Sequence, residues 1–170
     1  MKKAYITGAT GAIGMALVDE LLKNGISTTV FLRKGSGRND RVKDSFSGEL
    51  ASGLLRIEYV SLEELSGYAL SRNTQDMQTY ASQDLLTKAA GGADTAVFYH
   101  LGWSGTFGEQ RNNADMQQKN VEYTLDAVRL AKRLGCVHFI GVGSQAEYGR
   151  FEGRLTPVSY THLRAHETLA

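Results

Sequence analysis

The sequence lacks a second cysteine, so Cys136 cannot form a disulfide within the chain. Histidine is also scarce, with four residues, and no group of His and Cys has the spacing of metal ligands. These absences exclude a disulfide-stabilised fold and predict that the chain holds no metal. They also favour a reducing compartment, and we expect a cytoplasmic protein.

Long apolar runs and a strong net charge are missing as well. No apolar segment reaches the roughly 20 residues that cross a bilayer, and the N-terminus shows no signal-peptide pattern. Lys and Arg number 19 against 18 Asp and Glu, a formal charge of +1. One loop is basic but lacks interspersed aromatic residues for base stacking; its charges are Arg33, Lys34, Arg38, Arg41 and Lys43. We therefore expect neither a membrane nor a nucleic acid as partner.

What the sequence does contain is a repeated order of strand and helix. A β-prone run at residues 4–7 meets a glycine cluster, and a helical pattern with a glycine stop follows at residues 15–25. Further strands are predicted at residues 27–33, 55–60, 95–101 and 137–142. The alternation predicts an α/β fold, a Rossmann-type doubly wound parallel sheet in three layers (αβα), truncated after about the fifth strand.

The segments between these strands are less regular. Residues 34–53 are polar and rich in glycine, which predicts a loop with at most a short helix. Weak helical patterning is present only at residues 83–90 in the next connection. A long helix is predicted from Met116 to Leu134, ended by Gly135. Its buried face is expected to carry Val121, Leu125, Val128 and Ala131.

The strongest chemical signal is the glycine turn, defined as residues 8–14. A dinucleotide pyrophosphate needs backbone N–H donors at close range, and a glycine turn that opens a helix supplies them. Gly8 would permit the bend, Gly11 the approach of the phosphates, and Gly14 the close packing of helix on strand. The predicted cofactor contacts are Gly8, Ala9, Thr10, Gly11, Ala12, Ile13 and Gly14.

The end of the second predicted strand bears on the choice of cofactor. In such folds an acid there meets the free ribose hydroxyls, whereas an arginine can bind a 2′-phosphate. Arg33 and Lys34 occupy this place, and no carboxylate follows until Asp40. These residues favour NADP over NAD, although a solvated basic pair is the alternative.

Four motifs together resemble one family. They read ITGATGAIG, FYHLGWSGTFG, NVEYTLDAVRLAKRLG and FIGVGSQAEYG. In this order they are similar to the NAD-dependent epimerase/dehydratase family, the extended short-chain dehydrogenase/reductases. The resemblance implies that the backbone of Leu101 and Gly102 lines the nicotinamide ribose and that Asn120 shapes the active-site backbone. Ser144 would be the catalytic serine. His100 is expected to be structural, and Trp103 either borders the substrate or belongs to an apolar wall.

The family's Tyr-x-x-x-Lys pair is missing. Tyr160 is followed four residues later by Arg164, in a segment, residues 158–170, that resembles translated adapter sequence rather than protein. We therefore expect a partial dinucleotide-binding domain at residues 1–157, a non-native tail, and no C-terminal substrate domain. Such a fragment would be inactive.

The resemblance implies a parent enzyme that acts on a nucleotide-sugar by hydride transfer and forms a homodimer. Two alternatives stay open. One is an NADP-dependent carbonyl reductase, which the basic pair favours. The other is a non-catalytic module that binds or senses NADP.

Overall fold

A computed structural model describes residues 1–71, 95–106 and 108–143 of the chain. The strands in this part are β1 (Lys3–Thr7), β2 (Ser27–Leu32), β3 (Leu55–Tyr59), β4 (Ala96–His100) and β5 (His138–Gly141). The helices are α1 (Ala12–Lys23), α2 (Asn39–Ser45), α3 (Ser47–Ala51), α4 (Leu65–Ser71) and α5 (Ala114–Arg133). Short 3-10 helices span Leu62–Glu64 and Gly108–Asn112.

The described strands form one parallel sheet in the order β3-β2-β1-β4-β5. Successive strands are added to one side of β1 as far as β3 and then to its other side from β4 onward. Open α/β sheets bind ligands at the carboxyl ends of the strands where this order reverses, here between β1 and β4. Thr7, the last residue of β1, pairs with Phe31 of β2 and His100 of β4. The predicted doubly wound parallel fold is confirmed.

Side chains alternate between the two faces of the sheet along each strand, and helices cover both faces. On one face Ile6 and Val30 pack against Val18 of α1. On the other, Phe31 and Phe98 form an aromatic row with Tyr5, which packs near α4 and α5. The central strands are apolar on both sides for this reason, as three-layer α/β proteins require.

The buried face of α5 differs from the predicted one. Val121, Leu125 and Val128 are 48%, 49% and 42% exposed, and only Ala131 of the predicted set is buried. The buried residues of α5 are Asn120, Ala127, Leu130 and Ala131. The prediction was wrong because it counted apolar residues alone, whereas the buried face of α5 includes a polar residue that holds the site.

Two connections also contain more helix than predicted. The polar segment after β2 folds into α2 and α3, anchored by the buried side chains of Val42 and Phe46. After β3, Ser61 and Glu64 form a capping box in which the Ser61 backbone N–H and hydroxyl both donate to Glu64 Oε2 at 2.8 Å. This Ser-x-x-Glu spacing is a helix-start signal that the sequence analysis missed. The helical pattern at residues 83–90 lies outside the described residues.

Candidate functional site

The turn after β1 and the loop after β4 meet at the carboxyl edge of the sheet. We call residues 101–106 the β4 loop. The backbone N–H of Leu101 donates to the carbonyl of Thr7 at 3.1 Å, and that of Gly102 donates to the Thr7 hydroxyl at 3.2 Å. The predicted phosphate-binding and nicotinamide-binding segments are therefore joined directly.

Two glycines of the turn are required by packing within the protein. Gly8 has φ +75°, and a Cβ there would lie 2.6 Å from the carbonyl carbon and oxygen of Leu101. A Cβ on Gly14 would overlap the carbonyl oxygen of Gly8 and lie 2.7 Å from Cα of Ala9. Both contacts are with backbone, which cannot rotate away, so neither position accepts a side chain.

Gly11 is different, because the protein itself leaves room for a side chain there. Its φ is −76°, and the nearest atom to an added Cβ would be the Gly8 carbonyl oxygen, at an ordinary 3.5 Å. The residue is exposed and begins α1. A glycine that internal packing does not require is the feature expected where a ligand must approach the backbone.

The start of α1 is open to an anion. Gly11 provides no side-chain cap, and the first turn of the helix contains no acidic residue. Ala12 and Ile13 are exposed, with Ile13 at 65%, whereas Ala9 is buried in the core. The first-turn N–H groups and the positive end of the helix dipole together favour a negatively charged group at this place.

The basic pair lies beyond the carboxyl end of β2. Arg33 and Lys34 are exposed, as is Arg38 at the end of the same loop. Asn39 closes the loop, donating from Nδ2 to the Arg33 carbonyl at 2.9 Å. Asn39 is only 4% exposed, and its Oδ1 has no partner among the described residues. The sequence analysis did not single out this buried amide, which fixes the backbone that carries Arg33.

Asn120 holds the β4 loop from helix α5. The Ser104 N–H donates to Asn120 Oδ1 at 2.9 Å, and Asn120 Nδ2 donates to the Ser104 carbonyl at 2.8 Å. The side chain is 1% exposed. A buried amide that pairs with both backbone groups of one residue fixes that residue's position, and loss of either bond would leave a buried polar group unsatisfied.

Trp103 of the β4 loop combines exposure with a fixed orientation. The side chain is 45% exposed, yet its indole Nε1 donates to Gln117 Oε1 at 2.9 Å. Gln117 in turn donates to the carbonyls of Gln110 and Arg111 at 3.2 and 3.1 Å. The indole is therefore available at the surface beside the carboxyl edge of the sheet, rather than buried in an apolar core.

His100 ends β4 and is buried, with 3% exposure. Its Nδ1 lies 2.8 Å from the Thr7 hydroxyl and its Nε2 lies 3.3 Å from the Thr124 hydroxyl. The ring stacks on Phe139 with centroids 6.0 Å apart. Burial lowers the pKa of His100 to about 4, so the ring is neutral at physiological pH. No described carboxylate pairs with it, which fits the expected structural role.

The predicted catalytic Ser144 lies outside the described residues, as does the 158–170 segment. Among the residues that the structure does describe, no group of His, Cys, Asp and Glu could hold a metal ion. Across the same residues, no helix combines the length and the apolar character needed to cross a membrane.

A family model for the NAD dependent epimerase/dehydratase family matches residues 4–168 of the chain. No curated protein sequence matches significantly.

Solved structures share the fold at low sequence identity. The UDP-Glc/GlcNAc 4-epimerase from Campylobacter jejuni is 18% identical with a TM-score of 0.59, over 99% of this chain and 48% of its own. MoeE5 in complex with UDP-glucose and NAD is also 18% identical, with a TM-score of 0.57, over 98% of this chain and 47% of its own. An actinorhodin polyketide ketoreductase with NADPH is 16% identical, with a TM-score of 0.55, over 96% and 60% of the two chains. The chain thus spans about half the length of the first two proteins.

Proposed function

The chain belongs to the NAD dependent epimerase/dehydratase family, and from this premise we propose that it forms the dinucleotide-binding part of an enzyme that acts by hydride transfer. The nicotinamide ring, when bound, accepts or supplies the hydride. The observation that carries the proposal is that the three glycines of the turn differ in the space around them. Gly8 and Gly14 are required by the protein's own backbone, whereas Gly11 is open to a ligand.

The site residues divide into three roles under this proposal. The first-turn N–H groups of α1 bind the pyrophosphate, and the glycine turn shapes their approach. The backbone of Leu101 and Gly102 borders the nicotinamide ribose and is held by Thr7, while Asn120 holds Ser104 farther along the β4 loop. Ser144 binds the reacting oxygen of the substrate. Each of these assignments follows from the match between this sequence and the family's motifs.

We propose NADP as the preferred cofactor, with NAD as the alternative. Arg33 and Lys34 are exposed beyond β2, and Asn39 fixes the Arg33 carbonyl. A guanidinium can bind a 2′-phosphate through two charge-assisted hydrogen bonds, whereas a ribose hydroxyl offers no such bidentate, charged partner. Both MoeE5 with NAD and the ketoreductase with NADPH share the fold, so the fold alone does not select between the two cofactors.

Replacing Arg33 with Asp should weaken NADPH binding tenfold or more, about 1.4 kcal/mol, while leaving NADH binding within about threefold. The side chain is exposed, so the fold should be unaffected. Calorimetric titration of both cofactors measures the difference. Arg41→Asp is the matched control, because Arg41 is an exposed arginine of nearby α2 and makes the same change of charge. An equal loss for NADPH and NADH would refute the NADP preference.

For the complete enzyme we propose a nucleotide-sugar substrate. The support is the family match together with the epimerase from Campylobacter jejuni and MoeE5, whose names specify UDP-sugars. The second candidate is an NADP-dependent carbonyl reductase, which the exposed Arg33 and Lys34 favour. Because both reactions need a proton carrier, sequencing the source gene beyond the codon for Pro157 tests them together. A Tyr-x-x-x-Lys pair downstream supports catalysis, and a gene that ends as this chain does would leave only a binding module.

A further inference from the structure

His100 lies at the centre of a continuous chain of hydrogen bonds whose direction can be worked out. Thr124 has one hydroxyl proton, and it donates that proton to the Asn120 carbonyl at 2.9 Å. Its oxygen can therefore only accept from His100, whose Nε2 is 3.3 Å away. The neutral ring has a single proton, so Nε2 bears it and Nδ1 is left as an acceptor.

The direction continues on the other side of the ring. Because Nδ1 accepts, the Thr7 hydroxyl donates to it over 2.8 Å. The lone pairs of that hydroxyl then accept the N–H of Gly102 at 3.2 Å. The order of donation is Gly102 N–H to Thr7, Thr7 to His100, His100 to Thr124, and Thr124 to the carbonyl of Asn120. Every polar atom in this series has a partner and a role.

The chain of bonds links three elements that meet at the site: the end of β1, the end of β4 and helix α5. At one end is Gly102, the first glycine of the β4 loop. At the other is Asn120, which pairs with both backbone groups of Ser104 farther along that loop. The β4 loop is thus held at two points by one connected network, in which the His100 ring joins Thr7 to Thr124.

We propose that His100 is a positioning residue that, as its neutral Nε2–H tautomer, couples α5 through Thr124 to Gly102 and so sets the β4 loop for the nicotinamide half of the cofactor. This inference rests on the proposed function for the identity of the ligand. It assigns a role to Thr124, a residue of the motif that begins at Asn120 which the sequence analysis did not single out. The nicotinamide half is the one expected to respond, because the network ends on the β4 loop, whereas the adenosine half is bound beyond β2, at Arg33 and Lys34, in the proposed site.

The variant that tests the coupling is Thr124→Val, which has nearly the same shape and removes the acceptor for His100 Nε2. Thr124→Ser restores the hydroxyl and is the conservative rescue. Thr28→Val is the matched control: Thr28 is 1% exposed, and its hydroxyl donates to the Ile26 carbonyl at 2.9 Å. It is the second residue of β2, at the amino end of the strands and away from the site at their carboxyl ends. Thr28→Val therefore reports the loss of stability on removing a buried hydroxyl that is not part of the site.

The full chain and its variants are titrated with NADPH and with adenosine 2′,5′-bisphosphate, which contains only the adenosine half. Thr124→Val should weaken NADPH about tenfold and leave the bisphosphate within about twofold, the scale of one lost hydrogen bond. Thr124→Ser and Thr28→Val should bind both ligands like the parent chain. Equal affinities in Thr124→Val and parent, or an equal loss for both ligands, would overturn the proposal.

A second readout does not depend on cofactor binding. The ¹⁵N signals of the His100 ring at neutral pH should be those of the Nε2–H tautomer, and hydrogen exchange of the Gly102 amide should accelerate in Thr124→Val but not in Thr28→Val. If the parent chain binds neither ligand, the proposed function fails, and this readout decides the coupling alone. An Nδ1–H tautomer or an unchanged Gly102 exchange rate would overturn it.

Discussion

Replacing Gly14 with Ala is expected to lower the free energy of unfolding by about 3 kcal/mol, which corresponds to a fall in melting temperature of about 10 °C. The added methyl would overlap the Gly8 carbonyl oxygen and press on the backbone of Ala9, 2.7 Å from its Cα. Because α1 contacts the end of β1 through this glycine, the clash can be relieved only by moving the helix away from the sheet. Thermal unfolding followed by circular dichroism measures the effect.

Gly11→Ala provides the matched control within the same turn. Its methyl would meet only the Gly8 carbonyl oxygen at 3.5 Å, so the free energy of unfolding should change by less than about 1 kcal/mol. The methyl would stand where the pyrophosphate must approach, and NADPH binding should fall tenfold or more. Normal NADPH binding by folded Gly11→Ala would show that the cofactor does not approach this glycine. A Gly14→Ala variant as stable as the parent chain would contradict the packing.

The stability of the chain should also fall as the pH is lowered from 7.5 to 5, and His100 should account for about 2 kcal/mol of that loss. Burial lowers the pKa of His100 to about 4 in the folded chain, whereas the unfolded chain has the ordinary value of about 6.5. The unfolded state therefore takes up a proton first. The stabilisation is complete above the unfolded pKa and is lost as the pH approaches the folded pKa.

Comparison with His100→Asn isolates this contribution, because the amide does not titrate and can still accept a hydrogen bond from Thr7. The free energy of unfolding in urea is measured at pH 7.5 and pH 5 for both chains. An identical loss of stability in His100→Asn and the parent would show that His100 is not buried in its neutral form.

The sheet was predictable from the sequence because its signals are local. β1, the glycine turn and α1 follow one another without interruption, and each strand is a short apolar run bounded by polar or glycine residues. For helix α5, local sequence signals gave the extent of the helix but not its buried face. Its length was predicted within two residues, but its orientation was not, because Asn120 is buried by its pairing with Ser104, a residue that is distant in sequence.

In the candidate site, the glycine turn could be located from its spacing, while the cofactor contacts assigned to it stay predictions. Gly8, Gly11 and Gly14 could be assigned separate roles because the motif fixes their order, and the structure gives each a different environment. Asn39 and Thr124 could not be found in this way. Asn39 donates to the Arg33 carbonyl and Thr124 lies within hydrogen-bond distance of His100, and only the fold brings these pairs together.

In the proposed complex, this chain binds a nicotinamide dinucleotide at the glycine turn with the nicotinamide beside the β4 loop. Trp103 is the only tryptophan in the chain and lies in that loop, 45% exposed. Reduced nicotinamide absorbs where tryptophan emits, so NADPH bound there should quench Trp103 fluorescence saturably, and NADP⁺ should compete. Gly11→Ala should shift the quenching to NADPH concentrations at least tenfold higher. A titration to millimolar NADPH with no saturable quenching and no heat of binding would contradict the account.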